Sequence, residues 1–246
     1  RNRTVLIGLI RDFESPMATR FELRSPNPHT NTYIAIAVSY LAMLDGILYA
    51  GNSKKSMDDL LKELSKKPGE HAEYLEDSRS YRSEEDVFEH FTEEERNEYF
   101  GKAPATVYEN LSQLETFKDK LSILQRNPSF TDQIIESFKI AAMERWATEI
   151  EHRVMNNYSN QIRGYRVLHA LDKAQDLDIS NWNEINKLRY YLMKDTFNSK
   201  CLFTRTKNAF KDGDYKLASK LYLEIEEKMT ILRELYSTYE KNLLDL

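Results

Sequence analysis

From Thr106 onward the apolar residues recur at three- and four-residue spacing, and this periodicity constrains the fold more than any other feature. Ile185, Leu188, Tyr191 and Leu192 form one stripe, and Leu217, Leu221, Ile225, Met229 and Leu232 form another. Each stripe must be buried against a further helix, so a helical bundle follows. The spacing predicts helices over about 106–126, 131–168, 181–196, 199–211 and 214–244. Short connections at 197–198 and 212–213 favour antiparallel neighbours. In the second connection Gly213 suits a left-handed turn and Asp214 an N-cap. Seven glycines and six prolines in 246 residues agree with long helices and few tight turns. No repeat of fixed period runs through the chain.

The N-terminal part reads differently. Residues 4–11 (TVLIGLIR) are an apolar run rich in β-formers, and residues 19–24 (TRFELR) alternate strictly. Pro16 breaks the segment between them, so two short strands joined by a loop are expected. The turn-rich SPNPHTN follows, with Thr30 or Asn31 as N-cap of an apolar helix over 33–50. Asp45, Gly46 and Ser39 interrupt that apolar stretch and no basic flank brackets it, so the expectation is a buried core helix and not a membrane span. A charged helix from Ser53 to about Lys67 ends at Pro68-Gly69, and 70–103 is acidic and irregular with short helices such as 92–100. The fold class expected is α+β and predominantly α-helical: a short N-terminal strand pair followed by a helical bundle.

Composition narrows function by exclusion. Net charge is −5 and no Lys or Arg run stands out, so nothing points to nucleic acid or an anionic membrane. Cys201 is the single cysteine, which fits a reducing cytoplasm and no disulfide framework. The five histidines show no zinc spacing, and no phosphate-cradling glycine motif occurs. Glu149 and His152 make one E-x-x-H, but a di-iron site needs a second copy and further carboxylates. The chain opens on Arg1 with an apolar run from Val5 and no signal-peptide pattern, and it is expected to be a piece of a longer polypeptide.

Strand alternation puts Arg20, Glu22 and Arg24 on one face and Phe21 and Leu23 on the other. Two guanidiniums can grip phosphate or carboxylate, and a carboxylate between them can hold a divalent cation. The same row also serves as a plain solvent-facing charge ladder. Order along the chain adds information. Arg1-Asn2-Arg3, then Arg20-Phe21-Glu22-Leu23-Arg24, then Pro26-Asn27-Pro28, Asn31 and Tyr33, and finally Ala42 to Ile47 (AMLDGI) together resemble bacterial glutamine synthetase. A weaker similarity continues at 104–114 and 141–152, and residues beyond about 155 have no counterpart in the short bacterial enzymes.

The resemblance implies a domain plan: 1–155 as the C-terminal part of a catalytic domain and 156–246 as a helical extension. It implies an ATP-dependent glutamate–ammonia ligase that forms glutamine through a γ-glutamyl phosphate, with Mg²⁺ or Mn²⁺ in the site, glutamate, ammonia and ATP as substrates, and a homo-oligomeric parent enzyme. By the same resemblance Glu22 is a metal ligand, Arg24 binds glutamate, and Arg3 is catalytic, touching both substrate and nucleotide phosphate. The family's second arginine lands on Gly8, and Arg11 supplies it if the loop shifts; a nucleotide-contacting lysine falls on Met17. GNSKKSMDDLL stands where the short enzymes carry an adenylylated tyrosine, so no such regulation is expected there. The fragment alone is expected to be inactive. The alternative reading is a helical interaction or oligomerisation module, or an inactive relative of the enzyme.

Overall fold

A computed structural model describes residues 4–126, 128–170 and 172–243. Along the chain run β1 (Ile7–Ile10), β2 (Arg20–Leu23), α1 (Thr32–Ser53), α2 (Met57–Leu64), α3 (Val87–His90), α4 (Glu93–Arg96), α5 (Val107–Thr116), α6 (Lys118–Gln125), α7 (Asp132–Glu149), α8 (Met155–Gly164), α9 (Asp176–Met193), α10 (Leu202–Lys211) and α11 (Tyr215–Asn242). The protein is thus predominantly helical with a two-stranded antiparallel sheet at its N-terminal end. Two compact units divide the chain: one takes in residues up to Ala103 with Lys118–Phe130, the other Pro104–Phe117 with everything from Thr131.

In the first unit β1 and β2 pair antiparallel, with Gly8 opposite Glu22 and Leu9 opposite Phe21. The Arg24 amide donates to the Leu6 carbonyl at 2.9 Å and carries the ladder one step further. The connecting loop closes on Asp12, whose carboxylate accepts the Glu14 and Ser15 amides at 3.0 and 2.9 Å, and Pro16 opens a 3-10 turn. Asn31 caps α1, its Oδ1 accepting from the Tyr33 and Ile34 amides at 3.1 and 3.2 Å. The helix ends where Lys54 turns left-handed at φ 57°.

Helix α1 is where sequence expectation and structure part. The helix forms over the apolar stretch, but the only side chain it buries is Asp45. Tyr33, Ile36, Tyr40, Met43 and Ile47 stand exposed. By length and composition this one helix, with mean hydropathy 1.7, passes the test for a membrane span. A run of apolar residues signals that burial is needed; it does not say what does the burying, and the described part of this unit supplies little. What the unit does hide is polar. The Asp45 carboxylate takes the Tyr74 hydroxyl at 2.5 Å and the Arg126 guanidinium at 2.6 Å. The Lys66 ammonium donates to the Asp77 and Arg79 carbonyls at 2.7 and 3.0 Å.

The second unit has a conventional core. α9, α10 and α11 pack together, and Ile185, Leu192, Leu202, Ile225, Met229 and Leu232 are fully enclosed. The α10–α11 turn closes as its sequence suggests: Gly213 sits at φ 73° and Asp214 accepts from the Leu217 amide at 2.9 Å. Trp146 packs edge-on to Phe210 with ring centroids 5.1 Å apart. Two helices differ in detail from the periodicity. The predicted 106–126 helix breaks at Phe117 into α5 and α6. The long 131–168 helix contains one π turn, Ile150–Val154, between α7 and α8, and ends at Gly164.

Candidate functional site

Hairpin geometry brings Glu22 and Arg24 together. Both fall on one face of the β2 strand line, and the register sets Gly8 directly across from Glu22. Arg24 Nη2 and Nε donate to Glu22 Oε2 at 2.8 and 3.1 Å, and Nη1 reaches the Val5 carbonyl at 3.5 Å. Gly8 makes room for this pair: a Cβ there would stand 3.1 Å from Arg24 Nη2 and 3.8 Å from Glu22 Oε2. A long side chain at position 8 would contend with Arg24 for the same space. A side chain at position 8 would therefore require Arg24 to shift. With Glu22 48% and Arg24 27% exposed, the pair adds only about 0–1 kcal/mol to stability. It offers hard carboxylate oxygen for a cation and a planar fork for carboxylate or phosphate.

Of the other residues singled out in the sequence, Arg20 lies exposed on β2, paired across from Ile10. Arg11 lies exposed just past the end of β1, three residues from Gly8, or about 10 Å along an extended chain, so it stands apart from the Glu22–Arg24 pair. Met17 is exposed in the 3-10 turn. Arg3 lies outside the described residues. Among the described residues no three His, Cys, Asp or Glu side chains gather as a metal site. A single carboxylate does not hold Mg²⁺ by itself, so Glu22 fits as one ligand of a set that other groups must complete. Glu149 is ion-paired with Arg153 at the π turn, and His152 stands exposed beside it.

Sequence reasoning missed the polar network beneath α1. Tyr74 stacks on Tyr49 with centroids 4.3 Å apart. The Tyr49 hydroxyl lies 3.0 Å from both Glu63 oxygens, and Lys55 donates to the Tyr49 hydroxyl at 2.9 Å, to Glu63 at 3.0 Å and to Glu73 at 2.9 Å. Burial pushes the Tyr74 phenol up to about 12, and the Asp45 carboxylate adds to the shift. Burial opposes ionisation of Glu63, but its bonds from Lys55, Tyr49 and the Tyr74 amide outweigh it and hold the carboxyl below its ordinary 4.5. Glu73, Tyr49 and Glu63 together raise the Lys55 ammonium above its ordinary value. One signal was present in the sequence: a lone acid inside a long apolar helix demands a partner.

Residues 1–79 match the family model of the glutamine synthetase catalytic domain. No curated protein and no solved structure matches the chain. Residues 1–79 are therefore related to the glutamine synthetase catalytic domain, a ligase family, and the match takes in β1, β2, the Glu22–Arg24 pair, α1 and α2.

Proposed function

We propose that residues 1–79 supply one wall of the active site of an ATP-dependent glutamate–ammonia ligase, and that this chain alone does not complete that site. The observation that carries the reading is the Glu22–Arg24 pair, set over Gly8 inside the segment that matches the family. In the reaction, a γ-carboxylate oxygen of glutamate attacks the γ-phosphorus of ATP, and ADP leaves. Ammonia then attacks the acyl phosphate carbon, phosphate leaves, and the nitrogen gives up a proton as the amide forms. Charge accumulates on the transferring phosphoryl oxygens, so catalysis rests on fixed positive charge and bound Mg²⁺ or Mn²⁺. Glu22 provides one oxygen ligand for such an ion. Arg24 swings from Glu22 to the carboxylate of glutamate. Arg3 serves substrate and nucleotide phosphate, and Arg11 takes the second arginine role after a loop shift.

The exposed face of α1 then has an occupant: the remainder of a glutamine synthetase-type catalytic domain. β1 and β2 alone make a two-stranded sheet, which is marginal in water and has edges open to further strands. A lipid occupant is disfavoured because Asp45, well inside the helix, is held by Arg126 and Tyr74 from polar segments. Residues 156–246 read as an appendage for assembly or regulation, because their helices bury apolar stripes on one another and, among the described residues, gather no metal-ligating cluster. The parent enzyme is a cytoplasmic homo-oligomer on this reading.

Two assays test it. The purified chain gives no γ-glutamyl transfer; measurable turnover by it overturns the proposed incompleteness. In the complete enzyme Glu22→Ala abolishes glutamine formation and weakens Mn²⁺ binding, and Arg24→Lys lowers turnover far more than it lowers the melting temperature. Near-normal turnover of either variant at saturating metal and glutamate removes the site assignment.

A further inference from the structure

The second unit carries a cleft of about 570 Å³ where the end of α9 meets the strap leading into α10. Tyr190, Tyr191, Lys194, Lys200 and Arg205 line it, and none of the described residues lining it is acidic. The nearby carboxylates are already engaged. Asp195 accepts the Cys201 amide at 2.9 Å and the Lys200 ammonium at 3.1 Å, and Glu224 accepts the Tyr191 hydroxyl. Lys200 keeps two further donors, and Arg205, whose guanidinium reaches the Tyr191 hydroxyl, keeps several of its five. Lys194 stands 4.6 Å from the centroid of the Tyr190 ring.

The strap is a built loop. The Thr196 amide donates to the Ser199 carbonyl at 2.9 Å, and the Ser199 amide donates back to Thr196 Oγ1 at 3.0 Å. Between those two residues Phe197 is held out with its whole side chain in water. Ammonium and guanidinium groups lining one cleft beside a partly exposed tyrosine ring are the elements that bind an anion attached to a flat ring.

We propose that this cleft binds a nucleotide: its phosphates lie among Lys194, Lys200 and Arg205, and its base stacks on Tyr190. The residues of this cleft all belong to the second unit, and the proposal does not depend on the ligase reading. The experiment is calorimetric titration of the whole chain with ATP, AMP, adenosine and inorganic triphosphate at low salt, repeated with Lys200→Glu, Arg205→Glu and Tyr190→Ala. ATP and AMP are expected to bind, with adenosine and triphosphate each at least tenfold weaker than ATP. Either charge reversal is expected to weaken ATP at least tenfold, and Tyr190→Ala several-fold, with unchanged circular dichroism. Triphosphate as tight as ATP, adenosine as tight as AMP, no binding at all, or ATP binding indifferent to both charge reversals each overturns the proposal.

Discussion

The two units invert each other. The first shows apolar side chains to solvent, among them Leu9, Phe21, Ile36 and Ile47, and encloses Asp45 and Lys66. The second encloses Ile185, Leu202, Ile225, Met229 and Leu232 around α9, α10 and α11 and keeps its charges outside. A fold is stabilised mainly by apolar area removed from water, so the second unit can stand on its own packing. The first cannot do so to the same degree, and its polar network and hairpin read as the scaffold of one wall awaiting the opposite wall. The Glu22–Arg24 pair, proposed above as part of a ligase site, belongs to the first unit.

The largest effect that sharpens this comparison is a cavity in the closed core. Leu232→Ala or Ile225→Ala is expected to cost about 2–5 kcal/mol of the second unit's stability, read by denaturant titration of tryptophan fluorescence. Both tryptophans, Trp146 and Trp182, sit in that unit and report on it selectively. The matching truncations on α1, Ile36→Ala and Ile47→Ala, are expected to stay within about 0.5 kcal/mol, since little packing is lost. Equal losses in both units would break the comparison.

A middle effect concerns Asp45. Asp45→Ala leaves the Tyr74 hydroxyl and Arg126 without their shared acceptor, at about 1–3 kcal/mol to the first unit. Hydrogen exchange along α1 and 70–82 should speed up while the tryptophan transition stays in place. A shifted tryptophan transition would show that the polar network supports the other unit.

A smaller effect is set by pH. The Tyr74 phenol is raised from 10.0 to about 12, and the protonated form makes the bond. Its contribution is therefore complete below pH 10 and is lost as pH rises through about 12. Ultraviolet titration should show several tyrosines ionising late, Tyr74 and Tyr222 among them, and in Asp45→Ala the Tyr74 component should move part of the way back, because burial is the larger cause of its shift. The smallest effect is Glu22→Ala on stability alone, about 0–1 kcal/mol, because the ion pair is half exposed. A larger loss would make the pair a structural element.

Much of this was legible in the residues. Alternation in RFELR put Glu22 and Arg24 on one face, and the hairpin bears that out with a direct ion pair. The stripes through Leu192 and Leu232 marked the core helices, and Asn31 and Asp214 cap as their types suggest. Three features were not legible. The significance of Gly8 depends on cross-strand register, which no local pattern states. The partners of Asp45 come from Tyr74 and Arg126, far along the chain, so only tertiary structure pairs them. The apolar run of α1 called for burial, yet burial depends on a covering surface, and the described part of the first unit offers almost none.

Amide hydrogen exchange of the whole chain at neutral pH, resolved by segment, tests the contrast most directly. The account predicts that α10 and α11 exchange only by near-global unfolding of their unit, while β1, β2 and α1 exchange orders of magnitude faster through local opening. Protection of β1, β2 and α1 equal to that of α11 in the chain alone would contradict it, because the first unit would then need no further wall.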